Sequence, residues 1–220
     1  MTEADFLQET RSSYNTLAAA YAERYRGELV PRVLDRAVLS GFAELVLGGG
    51  NATTVADVGC GPGRVTALLS SLGVDAFGVD LSPAMIEMAR RDYPELRFKV
   101  GSMLELDIPA GSLGGVLAWY STIHVPDSRL PDAFAEFRRV LVPGGYLLLG
   151  FQTGDEVIHR TEGLGQAISV DFHRRQPGRV AAMLEQAGFT MYATVVREAD
   201  SIGEFTENTP QAFLLARRPM

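Results

Sequence analysis

The residues best suited to chemistry fall in two short stretches. The first, Val55-Ala-Asp-Val-Gly-Cys-Gly-Pro-Gly63, sets glycines directly after a short apolar run. Glycines there let backbone N–H groups approach a ligand closely and allow backbone angles that a Cβ would forbid. The second is Asp80, about twenty residues further on, closing another apolar run. A carboxylate at such a strand end can accept both hydroxyls of a ribose. Together the turn and the acid describe a nucleoside site. A dinucleotide turn wants a small residue in its sixth position, under the pyrophosphate, and here that position is Arg64. A phosphate loop wants Gly-Lys-Ser/Thr, and the chain has none. A ribose is expected and a pyrophosphate is not. Asp57 either orients the glycine loop or touches the ligand. Cys60 reads as a small residue tolerated in the loop, since no basic partner adjoins it to make it a nucleophile.

The elements that must carry these residues alternate in period. Leu17, Tyr21 and Tyr25 stand at helical spacing, and Leu29, Val33 and Leu34 extend an apolar stripe. Pro31 suits the first turn of a second helix. Strands are expected at Thr54–Val58, Asp75–Val79, Leu96–Val100, Leu113–Trp119 and Tyr146–Phe151, with helices from Arg64 to Leu72, after Ser82-Pro83, and from Asp132 to Leu141. Gly114 and Gly115 weaken the fourth strand, and Pro143-Gly-Gly reads as a turn. A helix over Gly178–Gln186 precedes two strands, near Met191–Arg197 and Gln211–Arg217. Alternating strands and helices give an α/β fold with a mostly parallel sheet and helices on both faces. The last two strands have no helix between them, so one of them is expected to run antiparallel. Residues 1–50 are expected to form a helical cap and 51–220 the main domain. Within it 153–173, glycine-bearing and without clear period, reads as a mobile insertion on the acceptor side.

Bulk properties narrow the partners. A net charge of −7 over 220 residues leaves no basic stripe for nucleic acid, so no nucleic-acid partner is expected. One cysteine excludes an intramolecular disulfide and fits a reducing compartment. No apolar run approaches the roughly 20 residues of a membrane span, and Met1–Arg11 is too polar for a signal peptide. A soluble, cytoplasmic protein without a metal site is expected.

The segments VADVGCGPGRVT, GVDLSPAMIEMAR and VLVPGGYLLL resemble the successive motifs of class I S-adenosylmethionine (SAM)-dependent methyltransferases, most closely the small-molecule branch, over about residues 14–218. The resemblance implies a Rossmann-like sheet of seven strands with a reversed last strand and an N-terminal helical lid. It implies SAM as cofactor and a small-molecule acceptor, methylated on oxygen or nitrogen. It sets Gly59, Cys60 and Gly61 against the methionine portion, Asp80 on the ribose, and Leu81 and Met85 beside the adenine. Gly101-Ser102-Met103 stands where the family often has Gly-Asp and a small or apolar residue, so Ser102 or the Met103 backbone replaces the usual acid. Trp119, Tyr120 and Ser121 would line the methionine and the transfer channel. Tyr14, Ala18 and Tyr21 resemble the lid-helix pattern, the tyrosines serving either core packing or cofactor contact.

His124, just past the fourth strand, has the titration range and position of a general base; His159 and His173 are the other candidates. Gln152, His159, Phe172, His173 and Arg174 are expected to read the acceptor. Two other functions stay open: a nicotinamide-dependent oxidoreductase, against which stand Arg64 and the absence of Tyr-x-x-x-Lys (Lys99 is the only lysine), and a SAM-fold protein without catalysis.

Overall fold

The computed structural model describes residues 3–50, 52–202 and 205–220. Two helices open the chain, α1 (Glu3–Tyr25) and α2 (Val33–Gly48). Strands and helices then alternate through β1 (Thr54–Val58), α3 (Arg64–Ser71), β2 (Asp75–Asp80), α4 (Pro83–Asp92) and β3 (Arg97–Val100). β4 (Leu113–Trp119) leads through a single 3₁₀ turn, Thr122–His124, to α5 (Leu130–Val140) and β5 (Leu141–Gln152). After these come β6 (Val157–Gly163), β7 (Gln166–His173), α6 (Pro177–Gln186) and β8 (Thr190–Arg197). Two short strands, β9 (Ser201–Ile202) and β10 (Phe205–Thr206), precede β11 (Gln211–Arg217).

Seven strands form one sheet in the order β3-β2-β1-β4-β5-β11-β8. β1 pairs in parallel with β2 and β4, and β4 with β5, because α3, α4 and α5 supply the crossovers that parallel neighbours need. β11 is antiparallel to both β5 and β8. No helix lies between β8 and β11 to carry the chain back, so the reversed last strand follows. The expected Rossmann-like architecture is the one observed.

β4 is buried at every position, as a central strand covered on both faces must be. One face packs under α5 and α6, where Phe134 and Phe137 are fully inaccessible. Each ring contributes roughly 2–3 kcal/mol by leaving water. The other face packs under α2 and α3 through Leu39, Phe42, Val65 and Leu69. Gly115 explains its own presence in β4: a Cβ there would stand 2.9 Å from Phe42 and Val46. It lets α2 lie directly on the strand.

Several local expectations are corrected. Residues 153–173 are no aperiodic insertion, because β6 and β7 form an antiparallel hairpin closed at Leu164-Gly165, both in left-handed backbone. Pro31 lies ahead of the second helix, which starts at Val33, and Val33 and Leu34 are exposed instead of continuing a buried stripe. The fifth strand begins at Leu141, and Pro143-Gly-Gly interrupts its register with β4. The β9–β10 hairpin had no sequence counterpart.

Candidate active site

The strand order reverses between β1 and β4, and a cavity opens there at the carboxyl ends of β1, β2 and β4. Open α/β sheets hold ligands at such a switch point. Helix α1 roofs the cavity. Every residue expected at the cofactor lines this one space, and so does His124.

The floor is the glycine loop. Gly59 has φ +79°, and a Cβ on it would sit 2.1 Å from the Ser121 Cβ, so only glycine lets β1 and the end of β4 come this close. Ser121 Oγ fixes the approach by donating to the Val58 carbonyl at 2.6 Å. Gly61, by contrast, has open cavity where its Cβ would be. Cys60 is buried under Gly78, and burial pushes its thiol well above the usual range, which leaves it inert as a nucleophile.

Asp80 crosses the loop. Its Oδ2 accepts from Gly61 N and its Oδ1 from Ser82 N, both at 2.8 Å. Burial raises its pKa, and these backbone donors pull the other way. Each oxygen keeps a lone pair for a further donor. Asp57 is buried behind the loop, with Oδ2 accepting from Thr66 Oγ1 at 2.7 Å and Oδ1 without a hydrogen-bond partner. Burial lifts it to about 7. Two buried carboxylates facing one cavity favour a ligand that carries positive charge. Met85 is buried at the start of α4, and Ser102 Oγ accepts from Leu104 N at 3.2 Å.

The roof is pinned by three consecutive residues. Ser13 Oγ donates to Ser169 O of β7 at 2.8 Å. Tyr14 Oη lies 2.7 Å from His124 Nε2. Asn15 Oδ1 accepts from Ser82 Oγ at 2.7 Å and Ala84 N at 3.2 Å, at the start of α4. His124 Nδ1 is 2.9 Å from the Asp171 carbonyl, which can only accept. Nδ1 therefore carries the ring proton, and Nε2 accepts from Tyr14. Burial pushes His124 down to about 4, so the imidazole is neutral near pH 7. Tyr21 reaches the same cavity and accepts from Arg64, whose guanidinium is 2.6 Å from Glu28.

Of the residues expected to read the acceptor, none lines the cavity. Phe172 comes nearest, its ring meeting His124 edge-on at 4.8 Å. His159 pairs with Asp171 Oδ1 on the exposed side of the hairpin, and Arg174 with Asn208. Gln152 O accepts from Arg175 N at 3.2 Å, and His173 is half-buried. Two features had no clear sequence signal. Phe6 and Thr10 extend the Tyr14 face of α1 toward the N-terminus at four-residue spacing and line the cavity. Arg175, buried, donates to Asp127 at 2.8 Å, to Thr122 O at 3.1 Å and to Val125 O, and so clamps the turn that carries His124.

Among the described residues no group of side chains is arranged to hold a metal ion, and no helix is long and apolar enough to cross a membrane. Residues 55–145 match the family model described as a methyltransferase domain. An uncharacterized methyltransferase of Mycobacterium bovis is 31% identical over 159 residues, covering 72% of this chain and 60% of that one. A trans-aconitate 2-methyltransferase of Methylobacterium radiotolerans is 31% identical over 160 residues, covering 66% of this chain and 57% of that one. The chain thus spans about 60% of the length of such curated relatives. The crystal structure of Burkholderia thailandensis 1,6-didemethyltoxoflavin-N1-methyltransferase, with its substrate and S-adenosylhomocysteine (SAH), superposes with a TM-score of 0.72 at 19% identity, covering 100% of this chain and 92% of that one. Residues 55–145 of the chain thus belong to the methyltransferase-domain family.

Proposed function

We propose that the protein is a SAM-dependent methyltransferase acting on an oxygen or nitrogen of a small molecule. The observation that carries this reading is the Asp80 carboxylate, held across the glycine loop by Gly61 and Ser82 with free lone pairs toward the cavity. Those lone pairs suit the two hydroxyls of a ribose. The unpartnered Asp57 Oδ1 suits an ammonium group, and Gly61 leaves room for a ligand to lie on the loop. Leu81 and Met85 offer an apolar wall for an adenine. SAM, when bound, supplies an electrophilic methyl group on a sulfonium.

The chain's own residues then align, dry and deprotonate. Helix α1, braced against β7 through Ser13 and Ser169, shields the cavity from water, which strengthens the charge interactions beneath it. Tyr14 and His124 handle the proton. As the acceptor gains its methyl group it becomes strongly acidic, so a base whose conjugate acid has a pKa of about 4 is sufficient. The acceptor proton passes to Tyr14 Oη while the Tyr14 proton passes to His124 Nε2, and Asp171 O steadies the resulting imidazolium through Nδ1–H. A chain of net charge −7 without a basic stripe favours a small acceptor over a polyanion.

The test is transfer of labelled methyl from SAM into a metabolite extract. Label should enter the small-molecule fraction with the native protein and stay out with Asp80→Ala. Label found only on macromolecules, or unaffected by that substitution, would contradict the reading.

A further inference from the structure

Helix α4 begins at a residue that serves three partners. Ser82 N donates to Asp80 Oδ1 at 2.8 Å, and Ser82 Oγ accepts from Met85 N at 3.2 Å as the helix N-cap. The same Oγ donates to Asn15 Oδ1 of the roof helix at 2.7 Å. Ser82 is fully inaccessible to solvent. A hydroxyl has one proton, and Asn15 is where that proton goes. Removing the acceptor would leave a buried donor unmet, which costs more than the bond itself is worth. The acid assigned to the ribose, the residue assigned to the adenine wall and the roof above them therefore meet in one serine.

Asn15 suits this bond in a second way. Its Oδ1 also accepts from Ala84 N at 3.2 Å. A backbone N–H only donates, so the amide atom facing α4 is the oxygen. Ala84 N and Met85 N belong to the first turn of α4, where no carbonyl of the helix can reach them. Ser82 satisfies one of them and Asn15 the other. A side chain 67 residues away in sequence thus completes the cap of α4. Asn15 itself does not line the cavity, while its neighbour Tyr14 reaches down to His124.

We propose that Asn15 is a positioning residue for the cofactor: through Ser82 it transmits closure of the roof to Asp80 and Met85, so that α1 and the bound nucleoside hold each other in place. This rests on the methyltransferase reading above, in which Asp80 takes the ribose. The coupling is mutual, since whatever steadies Asp80 also steadies the roof.

The test is calorimetric titration of SAH and of adenosine into the native protein, Asn15→Ala and Asn15→Asp. Asn15 is exposed on its helix, where Ala is well tolerated. Asn15→Ala should weaken SAH by about 10-fold, the size of two modest hydrogen bonds. Adenosine should weaken by the same factor, because it carries the same ribose and adenine. Asn15→Asp keeps an acceptor in front of both donors, and its charge suits the N-terminus of α4. It should stay within about three-fold of the native affinity. Ser82→Ala removes the bond from the other side while its backbone N still holds Asp80, and should weaken SAH by a similar factor. The proposal is overturned if Asn15→Ala or Ser82→Ala binds SAH as the native chain does, or if Asn15→Asp is as weak as Asn15→Ala. A native chain that binds neither SAH nor adenosine would sink the methyltransferase reading instead, and is seen before any variant is made.

Discussion

Tyr14 Oη donates to His124 Nε2 at 2.7 Å, and this bond ties the roof helix α1 to the turn after β4 across 110 residues of sequence. The Nδ1 contact to the Asp171 carbonyl fixes the tautomer, so Nε2 is the only basic nitrogen of the ring. Replacing His124 with Ala should lower kcat by about 10²–10⁴, the usual worth of a positioned base. Tyr14→Phe should lower it as well, while SAH affinity moves by only a few-fold. Steady-state kinetics beside SAH titration check this, and unchanged kcat in both variants would remove the pair from the mechanism.

The depressed His124 also shapes the pH response. Its folded pKa of about 4 lies below the ordinary value of 6.5 because burial disfavours the imidazolium. Its contribution to stability is fully present above about 6.5 and is lost as the pH falls toward 4, roughly 3 kcal/mol in all. Native protein should therefore lose stability between pH 6.5 and 4 more steeply than His124→Asn, as denaturant melts at each pH would show. In the kinetic profile, kcat should show no histidine inflection near 6.5. An acid limb centred there would mean that His124 is solvated in the working enzyme.

Asp57 works in the opposite sense. Burial raises it to about 7, so ionising it in the folded protein disfavours folding as the pH rises from about 4 to 7. Asp57→Asn should raise the melting temperature at pH 8 and change it little at pH 4. The same substitution should weaken SAH binding, because the unpartnered Oδ1 no longer meets an ammonium with a charge. In the native protein, SAH binding at pH 6 should release close to one proton, read by calorimetry in buffers of different ionisation enthalpy. Proton uptake would refute this assignment of Asp57.

Arg175 should matter without touching any ligand. Removing it leaves Asp127 and the carbonyls of Thr122 and Val125 without their buried donor, a loss of about 2–4 kcal/mol. Arg175→Met, which keeps much of the stem, should lower stability by that amount and kcat further than KM. Thermal melts and kinetics measure the two separately. A variant as stable and active as the native chain would show that the turn holds itself.

Sequence made the floor of the site legible and left most of the roof obscure. The glycine loop and Asp80 could be read because their roles are local: a strand end, a turn and an acid at a set spacing. The β6–β7 hairpin was missed although Ile168, Val170 and Phe172 repeat every second residue, because the neighbouring glycines suggested a loop. Tyr14 and His124 were each visible, but their mutual bond was not, since nothing local sets two groups so far apart at contact. Arg175 acts on the His124 turn from about 50 residues away and carried no motif. The face of α1 that holds Phe6 and Thr10 was legible only once Tyr14 had been seen to point inward.

The measurement closest to the central claim is calorimetric titration of the native protein and of Asp80→Ala with SAH, each repeated with NAD. The native chain should bind SAH and not NAD, and loss of the ribose-binding carboxylate should weaken SAH by about 100-fold or more, two charge-assisted hydrogen bonds at roughly 1.5 kcal/mol each. Binding of NAD without SAH, or SAH affinity indifferent to Asp80, would contradict the account.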